Sequence, residues 1–240
     1  MVRRTVQVLS TVVIFGAFAA GAFAAEGGQV VQKTWLDLFK ATGVVGVLLV
    51  LTSMVGTAIL IQYLVNLNRV KIGNPALLGE IDALLGENDA DGAFTLAQSD
   101  HSYAGRVMAA AIGRSVGGYE DAMRGLEEAA ALQSFKLTAK VSYLSLVGNI
   151  GPLLGLLGTV TGMISSFQVI ESLATPTPAD LAKGVYESLV NTTMGLFISI
   201  VFLTAYFFMK NKISDIALET NNTIGEILSR HLSPEGGTAR

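Results

Sequence analysis

Residues 148–167 read GNIGPLLGLLGTVTGMISSF, an apolar run interrupted by five glycines and a proline. In a helix interior glycine and proline fall short of alanine by about 1 and 3 kcal/mol. A lipid-facing glycine would lose that propensity with nothing in return. Small residues inside a membrane instead let two backbones approach closely. At ~100° per residue, Gly148, Pro152, Gly155, Thr159, Gly162 and Ser166 follow steps of four and three and form a single seam. Gly151 and Gly158 flank it and give the GxxxG pairs 151/155 and 158/162. The seam marks either tight helix packing, a common use of such patterns, or the wall of a narrow lumen. Pro152 is tolerable at a slight bend, where a neighbour or water satisfies the freed carbonyl.

Working outward, the whole chain has the composition of a membrane protein. Of 240 residues, 51% are hydrophobic and 15% charged, where soluble domains are nearer a quarter charged. Mean hydropathy is +0.53 and net charge −3. No basic cluster is dense enough for a nucleic-acid surface. There is no cysteine, which excludes disulfides and thiolate chemistry, and His101 and His231 stand far apart, against a metal site. No nucleophile–base set, P-loop or metal spacing is present, so an enzyme is not expected and nothing calls for a cofactor. Asp100-His101-Ser102 reads as a solvated turn.

The chain opens MVRRTVQVLSTVVIFGAFAAGAFAA. Its basic start, short apolar core and A-x-A end give residues 1–25 the order of a secretory signal peptide, the alternative being a true first transmembrane helix. Residues 26–40 form an amphipathic lead with Trp35, Leu38 and Phe39 at the lipid interface. Three spans follow at 41–67, 144–173 and 181–209, each longer than the ~20 residues that cross the hydrocarbon core. Between the first two lies a helical domain, 68–143, with helices expected around Leu77–Leu85, Asp91–Ala97 and Ala104–Arg114, punctuated by Gly73, Gly86, Gly117 and Gly118. No breaker separates Tyr119 from the second span, so one helix of about fifty residues is predicted there. A turn at 174–180 joins the second and third spans. The tail, 210–240, continues the third helix through Ile213, Ile216, Ala217, Ile224 and Ile227 before a polar end, SPEGGTAR.

Arg69, Lys71, Lys136, Lys140, Lys210 and Lys212 border the spans on the side of the large loop and tail. The positive-inside rule makes that side cytoplasmic and the turn and N-terminus periplasmic.

The third span carries Glu187 among Ser188, Asn191, Thr192, Thr193 and Ser199. An ionised carboxylate facing lipid costs at least ~2.5–3.5 kcal/mol, so Glu187 should face protein. It serves either as a structural hydrogen-bonding group or in a proton or ion pathway. Thr177 as N-cap and Pro178 at the first helical position set the start of this span. Thr159 then lies 16.5 positions before the hairpin midpoint and Thr192 16.5 after it. At ~1.5 Å per residue both stand ~25 Å from the turn, near mid-membrane. Glu187 and Thr192 are ~140° apart around the helix, so both cannot point at one axis.

GPLLGLLGTVTGMISSF, a short turn and ESLVNTTMGL, with SYAGRVMAAAIGRS and GLEEAA in the loop, resemble the MotA/TolQ/ExbB proton-channel family, and the ExbB/TolQ branch most. The resemblance implies an all-α integral membrane protein assembled as a homopentamer around a central pore. Single-span partners of ExbD or TolR type, carrying a membrane aspartate, would occupy the pore and pass motion to a TonB- or TolA-like protein. Thr159 and Thr192 would be the pore hydroxyls and Glu187 the membrane carboxylate, with Asn191 beside them. Gly151, Gly158 and Gly195 would serve packing, and lipid surrounds the whole. Asn191 and Thr193 are more polar than the family pattern at these positions. The implied function is a proton-driven stator for TonB-dependent transport in the bacterial inner membrane, with a TolQ-like role as its sibling. A non-conducting scaffold is the alternative of another class.

Overall fold

In the computed structural model, residues 43–66, 72–173, 175 and 177–232 are described. The signal-like segment, the amphipathic lead and the SPEGGTAR end lie outside the described residues. Six α-helices make up this part: α1 (Gly43–Asn66), α2 (Pro75–Gly86), α3 (Ala90–Ser99), α4 (Tyr103–Gly113), α5 (Tyr119–Ser172) and α6 (Pro178–Leu232), with a 3₁₀ turn at Ser115–Gly117. Among the described residues there is no strand. By length and composition α1, α5 and α6 can each cross a membrane.

α5 runs unbroken for 54 residues and α6 for 55, with Pro152 held inside α5. At ~1.5 Å per residue each is about 80 Å long, against ~30 Å of hydrocarbon. The chain forms two compact units, each joining distant parts of the sequence. One combines residues within 1–52 with 150–201, the other 53–149 with 202–240.

The second unit holds α2–α4. Each short helix begins on a side-chain cap: Asn74 accepts from the Leu77 N–H, Asp89 from Gly92 and Ser102 from Gly105. The chain reverses at Asn74 (φ 32°) and Asn88 (φ 60°), not at the expected Gly73 and Gly86. Asparagine reaches the left-handed region because its short amide can bond locally, as Asn74 does here. Gly118, at φ 95°, is the one predicted glycine breaker in that region. The core is built from Ile81, Val107, Met108, Val141, Leu144, Ile213, Ile224 and Leu228, all fully buried or nearly so. All five predicted tail residues, Ile213, Ile216, Ala217, Ile224 and Ile227, are buried. The Tyr103 hydroxyl joins α4 to both long helices, donating to Asn221 Oδ1 at 2.9 Å and lying 3.3 Å from Ser134 Oγ. Asp82 of α2 holds Arg230 at 2.7 Å and His231 at 2.8 Å.

Asp100 is more than a solvated turn. It accepts from the Ser102 N–H and from the Asn74 amide, tying the start of α2 to the start of α4.

Candidate functional site: the α5–α6 hairpin

The first unit contains the membrane parts of α5 and α6, which contact in opposite order along the chain. A Cβ added to Gly151 would strike the Gly195 carbonyl, one on Gly155 the Thr192 backbone, one on Gly158 the Asn191 side chain, one on Gly162 the Ser188 hydroxyl. Gly184 and Ser166 continue the series. The helices are therefore antiparallel, and within the chain the small-residue face of α5 is spent on α6. Gly195 makes the closest approach to backbone, its would-be Cβ confronting the Gly151 carbonyl and, at 3.1 Å, the Gly155 Cα.

The contact is polar as well as close. Ser188 Oγ donates to Gly184 O at 2.7 Å and across to Thr159 O at 3.3 Å. Thr192 Oγ1 donates across to Gly155 O at 3.2 Å. Ser166, Ser188, Asn191 and Ser199 are all buried. In the absence of a hydrophobic drive, close packing and such bonds are what hold membrane helices together. Ser188 and Gly184 went unassigned in the sequence reading. The spacing Gly184, Ser188, Thr192 is itself a small-residue pattern at four-residue intervals and could have revealed them.

Thr159 lies at the edge of this face. Its hydroxyl bonds the Leu156 carbonyl of its own helix at 2.6 Å and not Thr192. Pro152 is half-buried at the same edge. At ~100° per residue, Gly184, Ser188 and Gly195 define the side of α6 turned to α5, with Thr192 ~60° to one side and Glu187 ~80° to the other. On α5, Thr159 stands ~60° from the side turned to α6. Because the helices are antiparallel, Thr159 and Thr192 lean to one flank of the hairpin and Glu187 to the opposite flank. Glu187 and Thr192 thus stand on opposite flanks of the hairpin, as their ~140° separation requires.

Glu187 is half-exposed, with no hydrogen bond or ion pair among the described residues. Asn191, one turn on, is 4% exposed, and its Oδ1 lacks a partner. It leans to the Glu187 flank, over Gly158, rather than to the threonine flank. Thr161 and Ser165 of α5 fall on that flank too. Among the described residues no group of three or more His, Asp or Glu is placed to hold a metal.

The chain is 36% identical over 87 residues to the Tol-Pal system protein TolQ of Pseudomonas aeruginosa, covering 36% of this chain and 38% of that one. It is 35% identical over 107 residues to the biopolymer transport protein ExbB of Xanthomonas campestris, covering 44% and 42%. A biopolymer transport ExbB homolog of Methanothermobacter thermautotrophicus is 24% identical over 186 residues, covering 76% of this chain and 65% of that one. The chain thus spans between 38% and 65% of the length of these relatives. The model of the MotA/TolQ/ExbB proton channel family matches residues 99–222, which hold α4, α5 and the part of α6 that forms the glycine-faced hairpin. More than half of the chain lies in that match, and the protein belongs to the MotA/TolQ/ExbB proton channel family.

Proposed function

We propose that the chain is the pore-forming subunit of a proton-driven complex in the bacterial inner membrane, of ExbB type, serving TonB-dependent outer-membrane transport. The observation that carries this reading is the sharing of one hairpin flank by Thr159 and Thr192, within the segment matched by the family. Hydroxyls on a common flank, repeated in a homopentamer, line a pore without fixing a charge in it. They hydrate and relay a proton beside an aspartate brought by an ExbD- or TolR-like single-span partner. A TonB- or TolA-like protein then takes up the motion. The large loop and the C-terminus are cytoplasmic and the hairpin turn periplasmic. Among the relatives, TolQ of P. aeruginosa keeps a Tol-Pal role as the second reading.

Native mass spectrometry of the detergent-extracted protein tests the assembly: a protein mass of five chains is expected, and a persistent monomer or dimer overturns the pore. Thr192→Val and Glu187→Ala test the role. Both are expected to assemble and to lose proton-driven transport. Loss of assembly instead would leave a scaffold as the better account.

A further inference from the structure

The geometry points to a proton-holding pair on the flank of the hairpin away from the threonines: Asn191 is a positioning residue that accepts a hydrogen bond from the neutral carboxyl of Glu187. This deepens the proton-channel reading and rests on it for its physiological meaning. Asn191 is 4% exposed, and its Oδ1 is a buried acceptor without a donor. Such an atom forfeits the desolvation of a carbonyl unless something donates to it. Its own amide nitrogen is turned to Gly158, where a Cβ would come within 2.8 Å. Helical side chains lean toward the preceding turn, and Glu187 stands four residues before Asn191 on the same face. A carboxylate can only accept, whereas a protonated carboxyl has one O–H to give. With the amide nitrogen over Gly158, the oxygen is the end left for Glu187, and in this orientation the pair closes when Glu187 holds a proton.

α5 has no ionisable side chain from Gly148 to Ile170, and Thr161 spends its hydroxyl on the Leu157 and Gly158 carbonyls. On α6 the nearest ionisable residues in sequence are Tyr186, Lys183 and Asp180. An ion pair of Glu187 with Lys183 is the rival arrangement.

Infrared difference spectroscopy on the full-length protein in lipid vesicles separates them through the C=O stretch of a neutral carboxyl. At pH 7 that band should be present and should vanish in Glu187→Gln. In Asn191→Ala it should shift in frequency and disappear at a roughly tenfold higher proton concentration, while Asn191→Gln restores it. Asn191→Leu, which keeps the bulk, guards against a packing defect in the alanine variant. A purely structural asparagine would not move the band. Absence of any Glu187-dependent band at pH 7, or a band in Asn191→Ala and Asn191→Leu identical to that of the wild type, overturns the pair. If the band behaves as expected yet Glu187→Gln keeps proton-driven transport, the pair stands and the channel role of Glu187 falls.

Discussion

At the scale of single residues, the same substitution has opposite signs at different glycines. Gly195 meets the backbone of Gly151 and Gly155, which cannot yield as a flexible side chain would. Gly195→Ala should therefore force α5 and α6 apart, at a cost of about 1–3 kcal/mol. Gly79 of α2 and Gly225 of α6 face open space. Alanine there removes backbone freedom from the unfolded chain and should stabilise by about 0.5–1 kcal/mol. Thermal melts of the detergent-solubilised protein followed by circular dichroism would show Gly195→Ala melting lower, and Gly79→Ala and Gly225→Ala slightly higher. A neutral Gly195→Ala would mean that the hairpin is looser than its contacts indicate.

At the scale of elements, Asp100 joins two helix starts. Burial works to raise its pKa. The N–H and hydroxyl of Ser102, the Asn74 amide and the charge of His101 outweigh burial and hold it below the ordinary value. A carboxylate depressed in the folded state stabilises above its unfolded pKa, and that contribution is lost as pH falls through the folded one. Asp100→Ala should weaken the docking of α2 and α4 by about 1–2 kcal/mol at neutral pH. Hydrogen exchange of residues 75–113 in the full-length protein should show faster opening in the variant at pH 7. At acid pH, with Asp100 protonated, wild type and variant should converge. An equal gap at both pH values would show that the carboxylate charge is irrelevant.

The helices themselves were legible. Apolar length marked the spans, and the lack of any breaker after Tyr119 marked the long α5. The predicted short helices lie within one or two residues of α2, α3 and α4. The turns were less so, because glycine is the obvious left-handed residue, whereas here Asn74 and Asn88 take that role, Asn74 with its side-chain amide bonded locally. In the hairpin, the small-residue seam of α5 could be read from its spacing. Which neighbour it met could not, since periodicity gives a face and not its partner. Asn191 shows the limit best: its polarity was visible, but its burial over Gly158 and its unpartnered oxygen depend on how α5 and α6 register.

At the scale of the whole molecule, the length of the helices constrains orientation. α5 and α6 are each about 80 Å long, so ~30 Å of hydrocarbon leaves most of each helix in water. Charges tell which part. α5 carries Glu120, Asp121, Arg124, Glu127, Glu128, Lys136 and Lys140 before its apolar stretch, and α6 carries Lys210, Lys212, Asp215, Glu219, Glu226 and Arg230 after its own. The proposed topology puts those ends on one side and the short turn near Thr175 on the other. With lysines at both membrane borders, the positive-inside rule is the ground on which the proposed topology puts the charged side in the cytoplasm. The chain has no cysteine, so single-cysteine variants report without background. Thr175→Cys should react with a membrane-impermeant maleimide once the outer membrane is opened. Ser229→Cys should react only after the inner membrane is breached. The reverse pattern would invert the topology and put the proton entrance on the wrong side for a machine driven by inward proton flow. Labelling of both before the breach would mean that α5 and α6 do not span together.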